Sequence, residues 1–309
     1  MTYKIIGHKN PDTDAICSAI AMQEFMNAKG HKSQAYRLGE LNKETEFVLE
    51  YANTQSPELA TSFEDGSELV LVDHNEKNQT IDNIENYSLY YIVDHHKFSL
   101  ETATPLYIRA ESIASTCSII AKMFEEEQLE ISKKVATLMI SAIISDTLYF
   151  RSPTTTQEDK DITQRLNKIA RIEDLEQYSL EMFNAKSDLG DITAIEMIQL
   201  DYKEFEFNRK MYGIGVMETT NPEFGTQKLE EIKEALTQIE ERDNLSGVMF
   251  SIVDILEEKN QSICSNEEFS KEVQEVFSAK ALENGFLDLR GAVSRKKQIV
   301  PTLKKFLER

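Results

Sequence analysis

The chain has 309 residues, of which 40% are hydrophobic and 28% charged, and its formal net charge is −20. This length predicts about two domains, and the acidity argues against a nucleic-acid-binding surface, which usually needs a basic face. No apolar run approaches the roughly 18 residues of a membrane helix. No signal peptide is expected, and the three cysteines (Cys17, Cys117 and Cys264) are far apart, so we expect a cytoplasmic protein with reduced thiols.

The start of the chain predicts a strand over residues 3–6 and a helix from about Asp14. Pro11 disfavours helical backbone just before it, so the connection between strand and helix is predicted to be a tight loop. That loop carries His8, Asp12 and Asp14, which offer nitrogen and oxygen ligands to a divalent metal. The alternative is that Asp12 or Asp14 only caps the helix.

Two further apolar runs, at 68–72 and 89–93, end in polar residues. Runs of four or five β-formers are typical of strands buried on both faces of a parallel sheet. With the first strand, they place four of the five histidines at strand ends, where open α/β sheets carry their sites. These histidines are His8, His74, His95 and His96. Other predicted elements are a strand at 33–38 and helices at 42–53, 115–128, 132–146, 156–170 and 172–183.

The predicted helix at 132–146 is apolar almost all round and should therefore be buried. Asp146 at its end is then either buried or facing a cleft, and buried carboxylates are normally paired, hydrogen-bonded or bound to metal. Carboxylates and imidazoles without a thiolate suit Mn²⁺, Co²⁺ or Mg²⁺ better than a structural zinc. The carboxylates suffice for two metals with one Asp bridging, an arrangement suited to attack on phosphorus.

The second part of the chain is predicted to be a smaller α/β domain. Strands are expected at 211–217, 246–255 and 261–265, and helices near 227–241 and 267–277. We therefore predict domains at 1–184 and 192–309 joined by a linker at 185–191. The segment 294–298 is the most basic cluster in the chain, and its Arg295 and Lys296 could bind phosphate or form a solvated patch. Lys203 is a weaker candidate, because most lysines are surface residues.

Five motifs together resemble one family. They are Gly-His-Lys-Asn-Pro-Asp-Thr-Asp-Ala-Ile (7–16), Val-Asp-His-Asn (72–75), Val-Asp-His-His (93–96), Ser-Asp-Thr (145–147) and Ser-Arg-Lys-Lys-Gln (294–298). They are similar to those of the family II, manganese-dependent inorganic pyrophosphatases of the DHH phosphoesterase superfamily. The resemblance covers nearly the whole chain. It implies an N-terminal parallel-sheet DHH domain, a smaller C-terminal α/β DHHA2 domain, and an active site in the cleft between them.

The resemblance also implies the reaction, which is hydrolysis of diphosphate to two phosphates by attack of a metal-bridging hydroxide. Two Mn²⁺ or Co²⁺ ions per subunit, an additional Mg²⁺ arriving with the substrate, and a homodimer are expected. No nucleic-acid or membrane partner is expected. A DHH phosphodiesterase acting on short oligonucleotides or cyclic dinucleotides is the alternative, which the segment 294–298 disfavours.

Roles follow from the resemblance by position. His8 and Asp12 would bind the first metal, Asp14, His95 and Asp146 the second, and Asp73 would bridge them. The catalytic set would be Asp73 with the substrate-binding residues His96, Lys203, Arg295 and Lys296. Asp94 would orient the imidazoles, and His74 receives no role. In one departure from the family pattern, Ser112 and Ala114 replace a usual Pro and Gly, and Ala114 would be strained if its φ were positive.

Overall fold

The computed structural model describes residues 2–102, 104–187, 190 and 192–308. It separates into two compact units, Met1–Lys186 and Ser187–Arg309. Of the predicted linker, residues 188, 189 and 191 lie outside the described residues. Residues 185–187 are helical instead, as the end of a helix over Leu175–Ser187. Ala and Lys are good helix formers, which explains why the helix continues into this stretch.

The first unit is built on a six-stranded parallel sheet. Its strands are β1 (Tyr3–Ile6), β2 (Ser33–Arg37), β3 (Glu58–Leu59), β4 (Glu68–Val72), β5 (Ser88–Asp94) and β6 (Tyr107–Ala110), in the order β3-β2-β1-β4-β5-β6. Residues 69–72 of β4 are at most 1% exposed. A strand buried on both faces is what the continuous apolar run predicted, and the parallel-sheet prediction is confirmed.

Helices of the first unit begin at polar capping residues. They are α1 (Thr13–Ala28), α2 (Lys43–Tyr51), α3 (Thr116–Glu126), α4 (Lys133–Thr147), α5 (Gln157–Ala170) and α6 (Leu175–Ser187). Asp12, Asn42, Ser115 and Ser132 cap the first four, and Thr156 forms a capping box with Asp159. Each cap accepts a backbone N–H that the helix leaves without a partner. All residues of α4 from Val135 to Ser145 are buried, so α4 is the core helix that its composition predicted.

The second unit contains a mixed six-stranded sheet. Its strands are β7 (Tyr202–Phe207), β8 (Lys210–Thr219), β9 (Gly247–Asp254), β10 (Lys259–Cys264), β11 (Lys280–Ala281) and β12 (Leu287–Asp288), in the order β11-β12-β10-β9-β8-β7. Among the described strands of this second sheet, the β8–β9 pair is parallel and the other four pairs are antiparallel. Its helices are α7 (Ala194–Gln199), α8 (Pro222–Thr226), α9 (Leu229–Arg242), α10 (Glu267–Phe277) and α11 (Val300–Leu307), the last preceded by a π-helical turn at Arg295–Ile299.

Alternate residues of β9 enter opposite hydrophobic cores. Phe250 and Ile252 pack into one cluster, and Met249 and Val253 into the other. Both faces of this sheet are therefore covered, as in an α/β domain. Among the described helices, none combines the length and the apolarity needed to cross a bilayer.

Candidate metal centre

The central strands of the first sheet bring the predicted residues to one edge. β1, β4 and β5 are adjacent and parallel, so their carboxyl ends lie side by side. His8 follows β1 by two residues, Asp73 follows β4 directly, and His95 follows β5 directly. Residues that follow three different strands in the sequence thus lie close together in space, as expected for an open parallel sheet.

Three groups of side chains place possible ligand atoms within 4.8 Å of one another. They are His8, Asp12 and Asp73; Asp14, His95 and Asp146; and Asp73, His95 and His96. The first group contains the residues predicted for the first metal, and the second contains those predicted for the second metal apart from the bridging Asp73. Asp73 belongs to the first and third groups, so its carboxylate lies between the imidazoles of His8 and His95.

Asp73 occupies the centre of this arrangement. It is 2% exposed, and its carboxylate oxygens lie 3.5 Å from His8 Nε2 and 3.3 Å from His95 Nε2. The Thr116 hydroxyl donates a hydrogen bond to it at 3.0 Å. Its backbone is left-handed, with φ of 61°, which turns the chain sharply at the end of β4. Asp tolerates this conformation better than most residues because its short polar side chain can bond locally.

Asp12 caps a helix and also lies among the candidate metal ligands. Its Oδ1 accepts the Ala15 N–H at 3.0 Å and so caps α1, and the same oxygen lies 3.5 Å from His8 Nε2. The loop can pass this close to α1 because residue 7 is Gly. A Cβ at Gly7 would lie 2.8 Å from the Cβ and the carbonyl oxygen of Ala15. The helix cap therefore holds a candidate ligand in place.

Asp14 is fixed by the start of α3. Its Oδ1 accepts hydrogen bonds from the hydroxyls of Ser18 and Ser115 and from the Cys117 N–H, and its Oδ2 accepts the Thr116 N–H at 2.6 Å. The carboxyl is 1% exposed. Burial, and next the charge of Asp73, raise the pKa of Asp14 to about 6.

Asp146 lies in the last turn of α4, beside Asp14. Burial, and next the charges of Asp14 and Asp73, raise its pKa well above the usual range. Among the described residues, its Oδ2 is buried and has no hydrogen-bond partner. A buried carboxylate oxygen without a partner, beside other carboxylates and imidazoles, is a position that a divalent cation fits. The residues present therefore suit Mn²⁺.

The histidines of the centre are held as cations by the surrounding carboxylates. Burial opposes the charge on His8, but hydrogen bonds to Asp12 and Asp73 and their charges raise its pKa to about 10. Burial likewise opposes the charge on His95, while the hydrogen bond to Asp73 and the charge of Asp14 raise its pKa to about 9. Burial also disfavours the charge on Asp73, but the hydrogen bonds from both histidines hold its pKa well below the usual range. These protons must leave before the imidazoles can bind a metal.

His96 and His74 have opposite environments. The His96 Nδ1–H donates to Asp94 at 2.9 Å, and this hydrogen bond raises the pKa of His96, whose side chain is 53% exposed. Asp94 is fully buried and also accepts from Asn75 at 2.6 Å, so it fixes the His96 ring as predicted for an orienting carboxylate. His74 is buried, its Nδ1 bonds the Val72 carbonyl, and burial lowers its pKa to about 4. It belongs to none of the three groups.

The segment before α3 has no strained backbone at Ala114, and it makes contacts to the candidate ligands that the sequence did not predict. Ala114 is not among the described residues with positive φ, so replacing Gly at this position introduces no backbone strain. The Ile113 carbonyl accepts from His95 Nδ1 at 3.0 Å. With Ser115 and Thr116, this short segment therefore positions Asp14, Asp73 and His95. The only sequence feature that indicated a role for this segment was weak, namely a Ser at the position that caps a helix.

In the second unit, the predicted cations fall into a small region of its sheet. The Arg295 guanidinium donates to the Asp201 carboxylate at 2.5 Å, to the Asp201 carbonyl, and to the Ile214 carbonyl at 3.5 Å. Ile214 is the cross-strand partner of Lys203. Residues 203 and 295 thus approach each other although about 90 positions separate them. Lys296, the next residue, is exposed.

Comparisons with known proteins agree with this architecture. The sequence profile described as DHH family, N-terminal domain, matches residues 3–143, and that of the DHHA2 domain matches residues 180–306. The fold and site thus define a DHH-type phosphoesterase architecture with a DHHA2 second domain.

Proteins that are similar to nearly the whole chain identify the family within this architecture. The chain is 40% identical over 301 residues to the manganese-dependent inorganic pyrophosphatase of Bacillus subtilis, covering 97% of this chain and 96% of that protein. It is 43% identical over 307 residues to a Deinococcus radiodurans protein assigned to the same group, covering 98% of each. A crystal structure of a Methanococcus jannaschii protein assigned to the family II inorganic pyrophosphatases superposes with a TM-score of 0.64, at 36% identity and full coverage of both chains. The chain belongs to the family II, manganese-dependent inorganic pyrophosphatases.

Proposed function

We propose that this protein hydrolyses inorganic diphosphate to two phosphates in a manganese-dependent reaction. The observation that carries the proposal is the cluster of three carboxylate and imidazole donor groups at one sheet edge, in a chain with full-length pyrophosphatase relatives. The DHH phosphodiesterase alternative is disfavoured by those relatives.

Two Mn²⁺ ions per subunit are proposed. His8, Asp12 and Asp73 would hold the first, and Asp14, His95 and Asp146 the second, with Asp73 shared. When bound, such ions supply Lewis acidity toward phosphoryl oxygens and lower the pKa of water to make a nucleophile available at neutral pH. The chain's own contribution is to hold these donors rigidly: Asp14 through four hydrogen bonds, Asp12 through its helix cap.

His96 is proposed to bind the substrate as a cation. Asp94 accepts a hydrogen bond from the Nδ1–H of His96, and this hydrogen bond raises the pKa of the ring and so favours a proton on Nε2 as well. An imidazolium N–H on a half-exposed ring can donate to a phosphate oxygen and neutralise charge that develops on the departing phosphate.

Lys203, Arg295 and Lys296 are proposed to bind the diphosphate oxygens as well. In a chain of net charge −20, a multiply charged anion needs local cations to be held. Asp201 and two backbone carbonyls orient the Arg295 fork, and a planar fork suits two oxygens of one phosphate. We propose that an additional Mg²⁺ arrives with the substrate for the same electrostatic reason.

A homodimer and a cytoplasmic location are further parts of the proposal. The edge strand β6 exposes Tyr107 by 62% and Ile108 by 51%, and an exposed apolar edge is a surface that pairing with a second copy would cover. Sedimentation of the wild type and of Ile108→Lys tests this, since a monomer in both would exclude it. The free thiols Cys17, Cys117 and Cys264 suit a reducing compartment.

The function is tested by phosphate release from diphosphate. Chelator-stripped protein is supplied with Mn²⁺, Co²⁺ or Zn²⁺ in the presence of Mg²⁺, and Asp73→Asn is measured beside it. The control is Asp65→Asn, which makes the same chemical change at an exposed position of the same unit. We expect rapid release with Mn²⁺ in the wild type and the control, and its loss in Asp73→Asn. No release from diphosphate, with cleavage of a dinucleotide or a nitrophenyl phosphodiester, would instead support the alternative.

A further inference from the structure

A buried glutamate lies outside all three donor groups. Glu44 is in the first turn of α2 and is 0% exposed. Charged side chains are almost never fully buried unless they are paired, because removing a carboxylate from water is costly. A residue kept at this cost in the interior should have partners that explain it.

The partners of Glu44 are neighbours of the candidate ligands. Its Oε2 accepts hydrogen bonds from the Thr13 hydroxyl and from the Ser145 hydroxyl, each at 2.8 Å. Thr13 stands between Asp12 and Asp14, and Ser145 immediately precedes Asp146. One carboxylate oxygen therefore joins two segments, 100 or more residues apart in sequence, that carry three of the proposed ligands.

A lysine also contacts this carboxylate. The Lys186 Nζ lies 3.3 Å from the same Oε2. Among the described residues, the other oxygen, Oε1, is buried and has no hydrogen-bond partner. The contacts from Thr13, Ser145 and Lys186 therefore converge on the one oxygen that joins the two segments.

We propose that Glu44 is a positioning residue of the metal centre. It sets the spacing between the Asp12–Asp14 loop and the end of α4 through its hydrogen bonds to Thr13 and Ser145. The inference rests on the proposed function only in taking Mn²⁺ as the ion. Residues that orient metal ligands typically change metal affinity 10- to 100-fold when they are replaced.

The experiment measures Mn²⁺ affinity directly. Chelator-stripped protein is titrated with Mn²⁺, and the electron paramagnetic resonance signal of the free ion reports how much remains unbound. We expect Glu44→Ala to weaken binding by about 10- to 100-fold. Glu44→Gln should weaken it less, because its amide oxygen can still accept from both hydroxyls. Glu46→Ala is the matched control, because Glu46 lies two positions along the same helix, its side chain is 48% exposed, and it pairs with the exposed Lys43.

The outcomes separate a positioning role from a purely structural one. If Glu44 only stabilised the fold, the metal-free variants would melt at lower temperature but would bind Mn²⁺ with wild-type affinity, and this result would overturn the proposal. If Glu44→Ala does not fold, the comparison of Glu44→Gln with the wild type decides. If the wild type releases no phosphate from diphosphate but the affinity order still holds, the proposed function fails and the positioning role stands.

Discussion

Replacing Asp14 by Asn should destabilise the metal-free protein, in addition to impairing Mn²⁺ binding. The Asp14 carboxylate is 1% exposed and accepts four hydrogen bonds, three at Oδ1 and one at Oδ2. An Asn side chain has one acceptor oxygen, and its amide group is a donor. In its better orientation the amide nitrogen faces the Thr116 N–H, so that two donors meet without an acceptor.

The size of the effect follows from these contacts. A buried donor without a partner costs about 1–3 kcal/mol, and each remaining bond weakens when its acceptor becomes neutral. The opposing contribution is relief of the two causes that raise the pKa of Asp14, burial of its charge and next the repulsion from Asp73, and this relief is absent below the pKa of about 6, where Asp14 is already neutral. Below that pH we expect a loss of about 1–3 kcal/mol from the unpaired donor, which corresponds to roughly 2–12 °C in melting temperature for a unit of this size.

Thermal unfolding in excess chelator at pH 5, where a carboxyl with a pKa of about 6 is mostly protonated but both its oxygens can still accept, measures this loss. The control is Asp12→Asn. Asp12 is 48% exposed and caps α1 with a single hydrogen bond, and Asn is an equally good cap. Both variants should lose Mn²⁺-dependent activity, but only Asp14→Asn should melt early. Equal melting temperatures for the two variants in chelator would refute the argument.

Three further outcomes are expected. Mn²⁺ binding should release protons and strengthen as pH rises toward about 9–10, because His8 and His95 are protonated in the metal-free centre and must lose those protons to bind. The heat measured by calorimetric titration should therefore depend on the ionisation enthalpy of the buffer, and a buffer-independent heat would contradict this. Arg295→Lys should raise the KM for diphosphate by about 10-fold with a smaller change in kcat, because the point charge of an ammonium replaces the planar fork of a guanidinium. An unchanged KM would exclude Arg295 from substrate binding. Ala114→Gly should lower stability by about 0.4–1 kcal/mol through the unfolded chain, since φ at Ala114 is not positive; a rise in melting temperature or in kcat would show that the family's usual Gly is needed here.

The sequence predicted the strand ends well because two independent signals coincided there. The apolar runs of β1, β4 and β5 are long enough to identify, and each is followed closely by His or Asp. Parallel pairing of adjacent strands then brings these residues together without any further assumption.

The edge strand β7 was missed although its sequence contains the signal. Tyr202, Phe205 and Phe207 are separated by charged residues, a mixed pattern that gives only partial alternation. An edge strand with one exposed face is less apolar than a central strand, so a continuous apolar run does not mark it. Lys203 was therefore assigned from resemblance alone, without its strand.

Glu44 could not be predicted from the sequence. An acidic residue in the first turn of a helix is ordinarily a solvated residue that interacts with the helix dipole. Its burial depends on α2 packing beside Thr13 and Ser145, which is a tertiary contact between distant segments. The donors to Asp14 from the start of α3 depend on tertiary contacts in the same way.

The left-handed backbone at Asp73 restricts how this position can change during evolution. A residue here must supply a carboxylate and also tolerate a φ of 61°. Gly and Asn accept the backbone but lack the charge, and Glu keeps the charge but has a longer side chain and a lower preference for this conformation. No single substitution meets both requirements, so any replacement of Asp73 should abolish the metal centre. The carboxylate of Asp12 is exposed, so its position should be able to exchange with more residue types.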